Sequence, residues 1–248
     1  MKLIIFSTRT KHHSYFIQKV YDEFDIQQII FEKRKLTVGY KTGPFFDVQE
    51  NEYENRFFDS SFSNFKKDLP DSLEKKSVDL YNINQSGVKE YIEALSPDLI
   101  WVYGTGLIYP DLISIPGWGM VNLHGGISQK YRGLDSSLWA IYNNDFNSLG
   151  LTIHYVEPEL DTGDILFQHK MMIKKTDEIF HLRFKMTLMA TEYSLSLLSQ
   201  FKQNKAPLAA FPQNWGKYYS AMPLSKKQQA LINFTNYKKE LLKNVTQN

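Results

Sequence analysis

An apolar run over residues 2–7, carried by Leu3-Ile4-Ile5-Phe6, is followed at helical spacing by Phe16, Val20 and Phe24, and then by a second short apolar run, Gln28-Ile29-Ile30-Phe31. Short uninterrupted apolar runs suit strands buried on both faces, which are the strands of parallel sheets. Strand, helix, strand with no hairpin turn between them is a parallel unit with a right-handed crossover. Ser14 is the expected cap of the helix.

The alternation continues. Tyr81-Asn82-Ile83 is expected as a strand, Ser86 to Leu95 as a helix, Asp98 to Tyr103 as a strand, Pro110 to Ile113 as a short helix and Gly119 to Leu123 as the next strand. Asp135 should cap a helix carrying Leu138, Ile141 and Tyr142. Two strands, Leu149 to Val156 and Ile165 to Ile173, flank an acidic turn. Thr176 should then cap a long helix to about Phe201, with Asp177 and Glu178 in its first turn and Phe180, Phe184, Leu188, Thr191, Leu195 and Leu198 on its apolar face. Residues 33–80 are charged and aromatic, and one helix near Tyr53 to Phe65 fits them. The fold class is α/β, a Rossmann-like doubly wound, mostly parallel sheet over residues 1–202. Residues 203–248 read as a small C-terminal extension ending in a helix, with Ser225 and Gln228 spaced as a capping box.

Composition narrows the function. A net charge of +2, with 29 Lys and Arg against 27 Asp and Glu, gives no broad basic field, so a nucleic-acid partner is not expected. With no cysteine there is no thiolate nucleophile, disulfide framework or thiolate metal site. No apolar stretch approaches a membrane span and the first residues are too short for a signal peptide, so a soluble cytoplasmic protein without a membrane partner is expected. His154, His169 and His181 lack two-histidine metal spacing, and no metal is expected.

The chemistry concentrates in Val121-Asn122-Leu123-His124-Gly125-Gly126. Residues i and i+2 of a strand share a face, so Asn122 and His124 point together, and ligands of open α/β sheets bind beyond the carboxyl ends of strands. An amide N–H and an imidazole suit an oxyanion, and histidine also exchanges protons near neutral pH. Asp161, in the tight turn Glu159-Leu160-Asp161-Thr162-Gly163-Asp164, is the carboxylate that could hold the imidazolium or accept a proton. Taken singly, each residue is as well explained as a strand end or a turn.

In order along the chain, Asn122-Leu123-His124, Tyr131-Arg132-Gly133, Trp139-Ala140-Ile141, Gly150-Leu151-Thr152-Ile153-His154 and Asp161-Thr162-Gly163-Asp164-Ile165-Leu166 resemble the formyltransferases that use 10-formyltetrahydrofolate, from about residue 97 to 173. The resemblance implies direct transfer of a formyl group to an amine, with Asn122, His124 and Asp161 as the catalytic trio. It also implies a folate co-substrate held by Tyr103, Gly104, Thr105, Gly106, Leu107 and Ile108 on one loop and Glu157 and Leu160 on another.

Within that family the acceptor is expected to be a nucleotide-linked (dTDP or GDP) amino deoxysugar of surface polysaccharide. The link from Ser7 to Ser14 lacks the Gly-rich phosphate turn of the glycinamide ribonucleotide enzymes, and the tail is shorter than the C-terminal domain of the methionyl-tRNA enzymes. Lys11, His12 and His13 near a helix N-terminus are candidates for a diphosphate, with a merely solvated loop as the ordinary alternative, and Arg132 reads equally as holding a substrate anion or bracing the loop before Asp135. Trp215, Tyr218 and Tyr219 are candidates to stack a nucleobase or close a homodimer, with plain packing as the ordinary alternative. Glycinamide ribonucleotide or methionyl-tRNA is the competing acceptor, and a non-catalytic folate- or nucleotide-binding module the competing class.

Overall fold

The computed structural model describes residues 1–33, 37–60 and 69–243. In chain order the elements are β1 (Leu3–Ser7), α1 (Lys11–Glu23), β2 (Ile26–Glu32), α2 (Asp47–Ser60), α3 (Asp71–Glu74), β3 (Ser77–Leu80), α4 (Val88–Leu95), β4 (Leu99–Tyr103), α5 (Pro110–Ile113) and β5 (Met120–His124). Then come β6 (Tyr131–Gly133), α6 (Ser136–Tyr142), β7 (Gly150–Tyr155), β8 (Ile165–Lys170), α7 (Leu182–Asn204), β9 (Lys217–Tyr219) and α8 (Leu224–Lys243).

Seven strands form one sheet in the order β3-β2-β1-β4-β5-β7-β8. β3 to β5 along that order run parallel, while β7 and β8 are antiparallel additions. The order reverses between β1 and β4, which opens a crevice at their carboxyl ends.

Alternation along the strands sorts side chains into two layers. Leu3, Ile5, Trp101, Tyr103, Val121 and Leu123 face α1 and α7, whereas Ile4, Phe6, Ile100, Val102 and Met120 face α4 and α5. Burying a side chain of this size stabilises by about 1.5–3 kcal/mol. Asn122 and His124 continue the face of Met120, at the end of β5 where a polar face meets a cavity.

Several boundaries differ from the sequence reading. Thr10, in extended backbone, caps α1 by accepting the His13 N–H, so Ser14 lies buried inside the helix. α2 starts six residues before Tyr53. The remainder of the expected span, to Phe65, lies outside the described residues. Part of the inward face of α2 is charged: Glu50 and Glu54 meet Arg183 of α7 in a fork, with Glu54 Oε1 2.7 Å from Nε and Glu50 Oε2 2.7 Å from Nη1. β3 precedes Tyr81, which is 75% exposed, while Ile83 is buried in a loop with its N–H bonded to Glu32.

The long helix is entered by a 3-10 turn closed by Glu178 and His181, not capped by Thr176, so Asp177 and Glu178 lie ahead of α7. Its buried face runs through Thr187, Ala190, Thr191, Ser194, Leu198 and Phe201, and Leu188 is turned outward. α8 begins at Leu224, which puts Ser225 inside its first turn. Asp135 occupies the position before α6 but caps no helical N–H; its carboxylate accepts from Met222 N at 2.7 Å.

The segment after α7 packs onto the sheet domain. Phe211 bridges Ile165, β9 pairs in parallel with β6, and α8 lies on α6 with Asn233 donating to the carbonyls of Ile141 and Tyr142. Met222, Ala230 and Phe234 belong to the same core as β1 and β4.

Candidate active site

In the antiparallel pair β5–β7, Asn122 lies opposite His154 and His124 opposite Thr152. Directly opposed residues project from the same face of a sheet, so Asn122, His124 and His154 form one polar patch. The turn after β7 lays Asp161 over it. Asp161 holds a left-handed backbone (φ 56°), and a Cβ on Gly163 would meet the Tyr155 carbonyl oxygen at 1.9 Å, so the tight turn needs glycine there.

Asp161 is the hub. Its Oδ1 accepts from Asn122 Nδ2 at 3.1 Å and lies 3.5 Å from His154 Nε2; its Oδ2 accepts from Gly133 N at 2.7 Å and lies 3.3 Å from His124 Nδ1. Burial alone would raise its pKa, but the charge of His124, the hydrogen bond and charge of His154 and the Gly133 N–H together hold it well below the usual carboxylate range.

The neighbours fix the tautomers. His124 Nε2 is 2.8 Å from the Tyr131 carbonyl, which only accepts, so Nε2 carries a proton and Nδ1 is the atom that faces Asp161. His154 Nδ1 is 2.6 Å from the Tyr155 carbonyl, so in the neutral ring Nε2 accepts from Asn122 Nδ2 at 3.1 Å, and only a ring with both nitrogens protonated donates to Asp161. Asn122 therefore faces two acceptors with its N–H bonds, which orients the amide.

The patch forms one wall of a cavity of about 360 Å³ at the β1/β4 crevice. Tyr103, Gly104, Thr105, Gly106, Leu107, Ile108, Glu157 and Leu160 all line it, together with Asn122, His124 and Asp161. The Gly104 loop is held from behind. Glu32 accepts from Gly106 N at 2.7 Å and from Ile83 N at 3.1 Å, and Asn84 bonds both the Leu107 carbonyl and Tyr109 N.

The residues expected to bind the acceptor are placed differently. Lys11, His12, His13 and Arg132 do not line the cavity. Lys11 bonds Asn55, and the rings of His12 and His13 pack edge-on to Tyr103 behind Gly104, where a Cβ would meet His13 Cε1 at 2.4 Å. Burial, with the Arg183 charge nearby, pushes both histidines down, His13 to about 3 despite its bond to Thr8. Arg132 braces the walls, donating to the carbonyls of Gly216 at 2.7 Å and Leu160 at 3.0 Å, with Trp215 at 5.8 Å. Tyr218 does line the cavity and is about half exposed.

His154 is the residue the sequence reading passed over. Its signal is alternation: Thr152 and His154 are polar at i and i+2 in an otherwise apolar strand. Among the described residues no group of three or more His, Cys, Asp or Glu side chains is arranged to hold a metal ion, and no helix is long and apolar enough to cross a membrane.

Residues 42–193 match the family model described as Formyl transferase. The chain is 34% identical over 161 residues to a methionyl-tRNA formyltransferase of Methylacidiphilum infernorum (isolate V4), covering 64% of this chain and 49% of that protein. It is 31% identical over 160 residues to that of Koribacter versatilis (strain Ellin345), covering 64% and 50%. The chain thus spans about half the length of the curated relatives it matches.

Among solved structures, a 4-N formyltransferase from Francisella tularensis superimposes with a TM-score of 0.61 at 15% identity over 94% of this chain and 87% of that one. A sugar N-formyltransferase from Shewanella sp FDAARGOS_354 gives 0.57 at 17% over the same shares. The formyltransferase PseJ from Anoxybacillus kamchatkensis, in complex with UDP-4,6-dideoxy-4-formamido-L-AltNAc and tetrahydrofolate, gives 0.53 at 18% over 94% and 90%. At such identities the likeness is one of fold. The matched family, which covers more than half of the sequence and includes the whole Asn122–Asp161 patch, decides the assignment: this chain belongs to the formyl transferase family.

Proposed function

We propose that the protein transfers the formyl group of 10-formyltetrahydrofolate to the amine of a nucleotide-linked amino sugar. The observation that carries the transfer chemistry is the convergence of Asn122, His124 and His154 on Asp161 at the cavity wall.

The folate co-substrate would lie between the Tyr103–Ile108 loop and the Glu157–Asp161 turn. The free amine attacks the formyl carbon, forming the new C–N bond as the carbonyl electrons move to oxygen. Asn122 Nδ2 gives one N–H to that oxyanion by releasing one of its two present acceptors. His124 Nδ1 takes the proton lost by the amine, and Asp161 stabilises the resulting imidazolium. Collapse breaks the bond to the folate N10, which leaves with the proton His124 returns.

The amino-sugar acceptor is supported by three features. The β1–α1 link lacks the glycines of a phosphate-binding turn, and its side chains bond to the first turn of α1 instead, Thr8 Oγ1 to His13 Nδ1 and Thr10 Oγ1 to His13 N. The near-neutral chain lacks a polyanion field. The fold likeness to PseJ, which is bound to a UDP-linked formamido sugar, covers 94% of the chain. Methionyl-tRNA is the second reading, favoured by the identity to the two tRNA enzymes.

One experiment separates them. The protein is incubated with 10-formyltetrahydrofolate and, in turn, dTDP-, GDP- and UDP-linked amino sugars, glycinamide ribonucleotide and methionyl-tRNA, and products are weighed. A formamido sugar supports the proposal. Formylation of methionyl-tRNA or glycinamide ribonucleotide with no sugar product overturns it.

A further inference from the structure

The segment between α7 and β9 is a largely exposed strap with one polar side chain turned inward. Phe211 is fixed to Ile165 by a pair of backbone hydrogen bonds, 2.8 and 2.9 Å, and Gly216 N donates to the Ser128 carbonyl at 3.2 Å. At Gly216 the strap presses so closely on the loop after β5 that a Cβ would meet Ser128 O at 2.4 Å and Lys130 N at 2.5 Å. Between these anchors Pro212 and Asn214 face outward, while Gln213 is half-buried.

Gln213 spans the two loops that build the catalytic patch. Its Oε1 accepts from Ser128 Oγ at 2.6 Å, and its Nε2 donates to the Asp161 carbonyl at 3.4 Å and to the Gly163 carbonyl. Carbonyls only accept, so the amide has one satisfied orientation. Ser128 is fully buried, and its N–H donates to Thr152 Oγ1, so the far end of the span is rigid. The near end is the strained one. Asp161 is a non-glycine residue at φ 56°, a conformation that persists only where surrounding contacts hold it. Its carboxylate is held by Gly133 N and Asn122, and the backbone around it by Gln213.

We propose that Gln213 is a positioning residue of the formyl-transfer site, acting through the Asp161 turn. It touches neither co-substrate nor acceptor. By fixing the carbonyls of Asp161 and Gly163 against the Ser128 loop, it sets where the Asp161 carboxylate meets His124 and Asn122. The segment after α7 is on this account a working part of the site. The inference rests on the proposed transfer reaction for its kinetic readout, and on none for its structural one.

The test uses the full chain with two substitutions. Gln213→Leu removes both ends of the span. Gln213→Glu keeps the shape and the acceptor for Ser128 and turns only the donor end into a second acceptor facing two carbonyls. Amide hydrogen exchange over residues 157–165 is read without any acceptor present, and single-turnover rate, KM for each substrate and melting temperature are read beside it.

The expected result is faster exchange confined to 157–165 and a turnover loss on the order of 10- to 100-fold, at unchanged KM values and with little change in melting. For Gln213→Glu the exchange difference should shrink as pH falls, because the protonated carboxyl regains an O–H donor for the two carbonyls. Exchange and turnover at wild-type levels in both variants overturn the proposal. So does loss of protection spread over 203–222, which marks a merely structural strap. A wild-type protein inert toward every amine would sink the transfer reaction, and the exchange arm would still judge Gln213.

Discussion

Two histidine pairs sit near the carboxyl ends of the parallel strands, and they are held in opposite surroundings. His12 and His13 are neighbours in sequence, with rings 4.2 Å apart, and they pack on Tyr103 with Arg183 nearby. His124 and His154 are thirty residues apart in sequence, and antiparallel pairing brings both to Asp161. Both pairs are largely buried. What differs is the group opposite. An aromatic ring and a guanidinium leave an imidazole neutral, whereas a carboxylate gives it a partner for the charged form. Adjacency in sequence is therefore a poor guide to which histidines meet a carboxylate.

The contrast breaks most sharply at His124. His124→Ala should lose transfer by on the order of 10² to 10⁴-fold, because a general acid–base step contributes about that much, and should melt lower because the Tyr131 carbonyl and Asp161 each lose a partner; turnover close to wild type in a folded variant removes His124 as the proton carrier. His154→Phe should cost about 10-fold or more, since Asn122 then loses the acceptor that orients its amide. Single-turnover kinetics of the two variants give the comparison directly.

His13→Phe marks the other side of the contrast. The ring stays packed on Tyr103 and only the bonds to Thr8 are lost, about 1 kcal/mol of stability, so transfer should stay within about an order of magnitude of wild type. A loss as large as that of His124→Ala would place His13 in the chemistry and erase the distinction.

The same reasoning reaches a buried carboxylate pair. Burial pushes Glu50 up to about 7 against the pull of Arg183, with Glu54 and Asp47 adding to the rise. A folded-state pKa above the unfolded one favours folding when the group is protonated, so that contribution is present below about pH 4.5 and lost as pH rises through 7. Glu50→Gln should therefore melt a few degrees higher than wild type at pH 8, with the advantage vanishing near pH 4.5; a variant less stable at pH 8 would mean that the charged Arg183 fork stabilises outright. Asp161 has the opposite sign. Its pairing is present above the unfolded carboxylate pKa and lost only as pH falls through the depressed folded value, so it stays ionised across the neutral range.

The strands with apolar residues on both faces, β1 and β4, were legible because burial on both sides leaves an uninterrupted run. The face shared by Asn122 and His124 followed from strand geometry, and Asp161 from an acidic turn that only glycine lets close at Gly163. α2 was misplaced because its buried side includes Glu50 and Glu54 paired with Arg183, 129 residues after Glu54, so its hydrophobic period is weak. β3 was misplaced because it is an edge strand in which none of the four residues is fully buried, so it carries no apolar run. His154 and Gln213 act through partners that only register and strap packing supply. The thiol-free, near-neutral composition said nothing about either.

The central claim is that the Asp161 hub drives formyl transfer, and Asp161→Asn tests it with almost no change of shape. The variant is loaded with formyl-[13C]-labelled 10-formyltetrahydrofolate and mixed with the acceptor that the wild type formylates, and label transfer is followed in a single turnover. The account predicts folate binding as tight as in the wild type with transfer slower by on the order of 10³-fold. Transfer within about tenfold of the wild type, at equal folate binding, would contradict it.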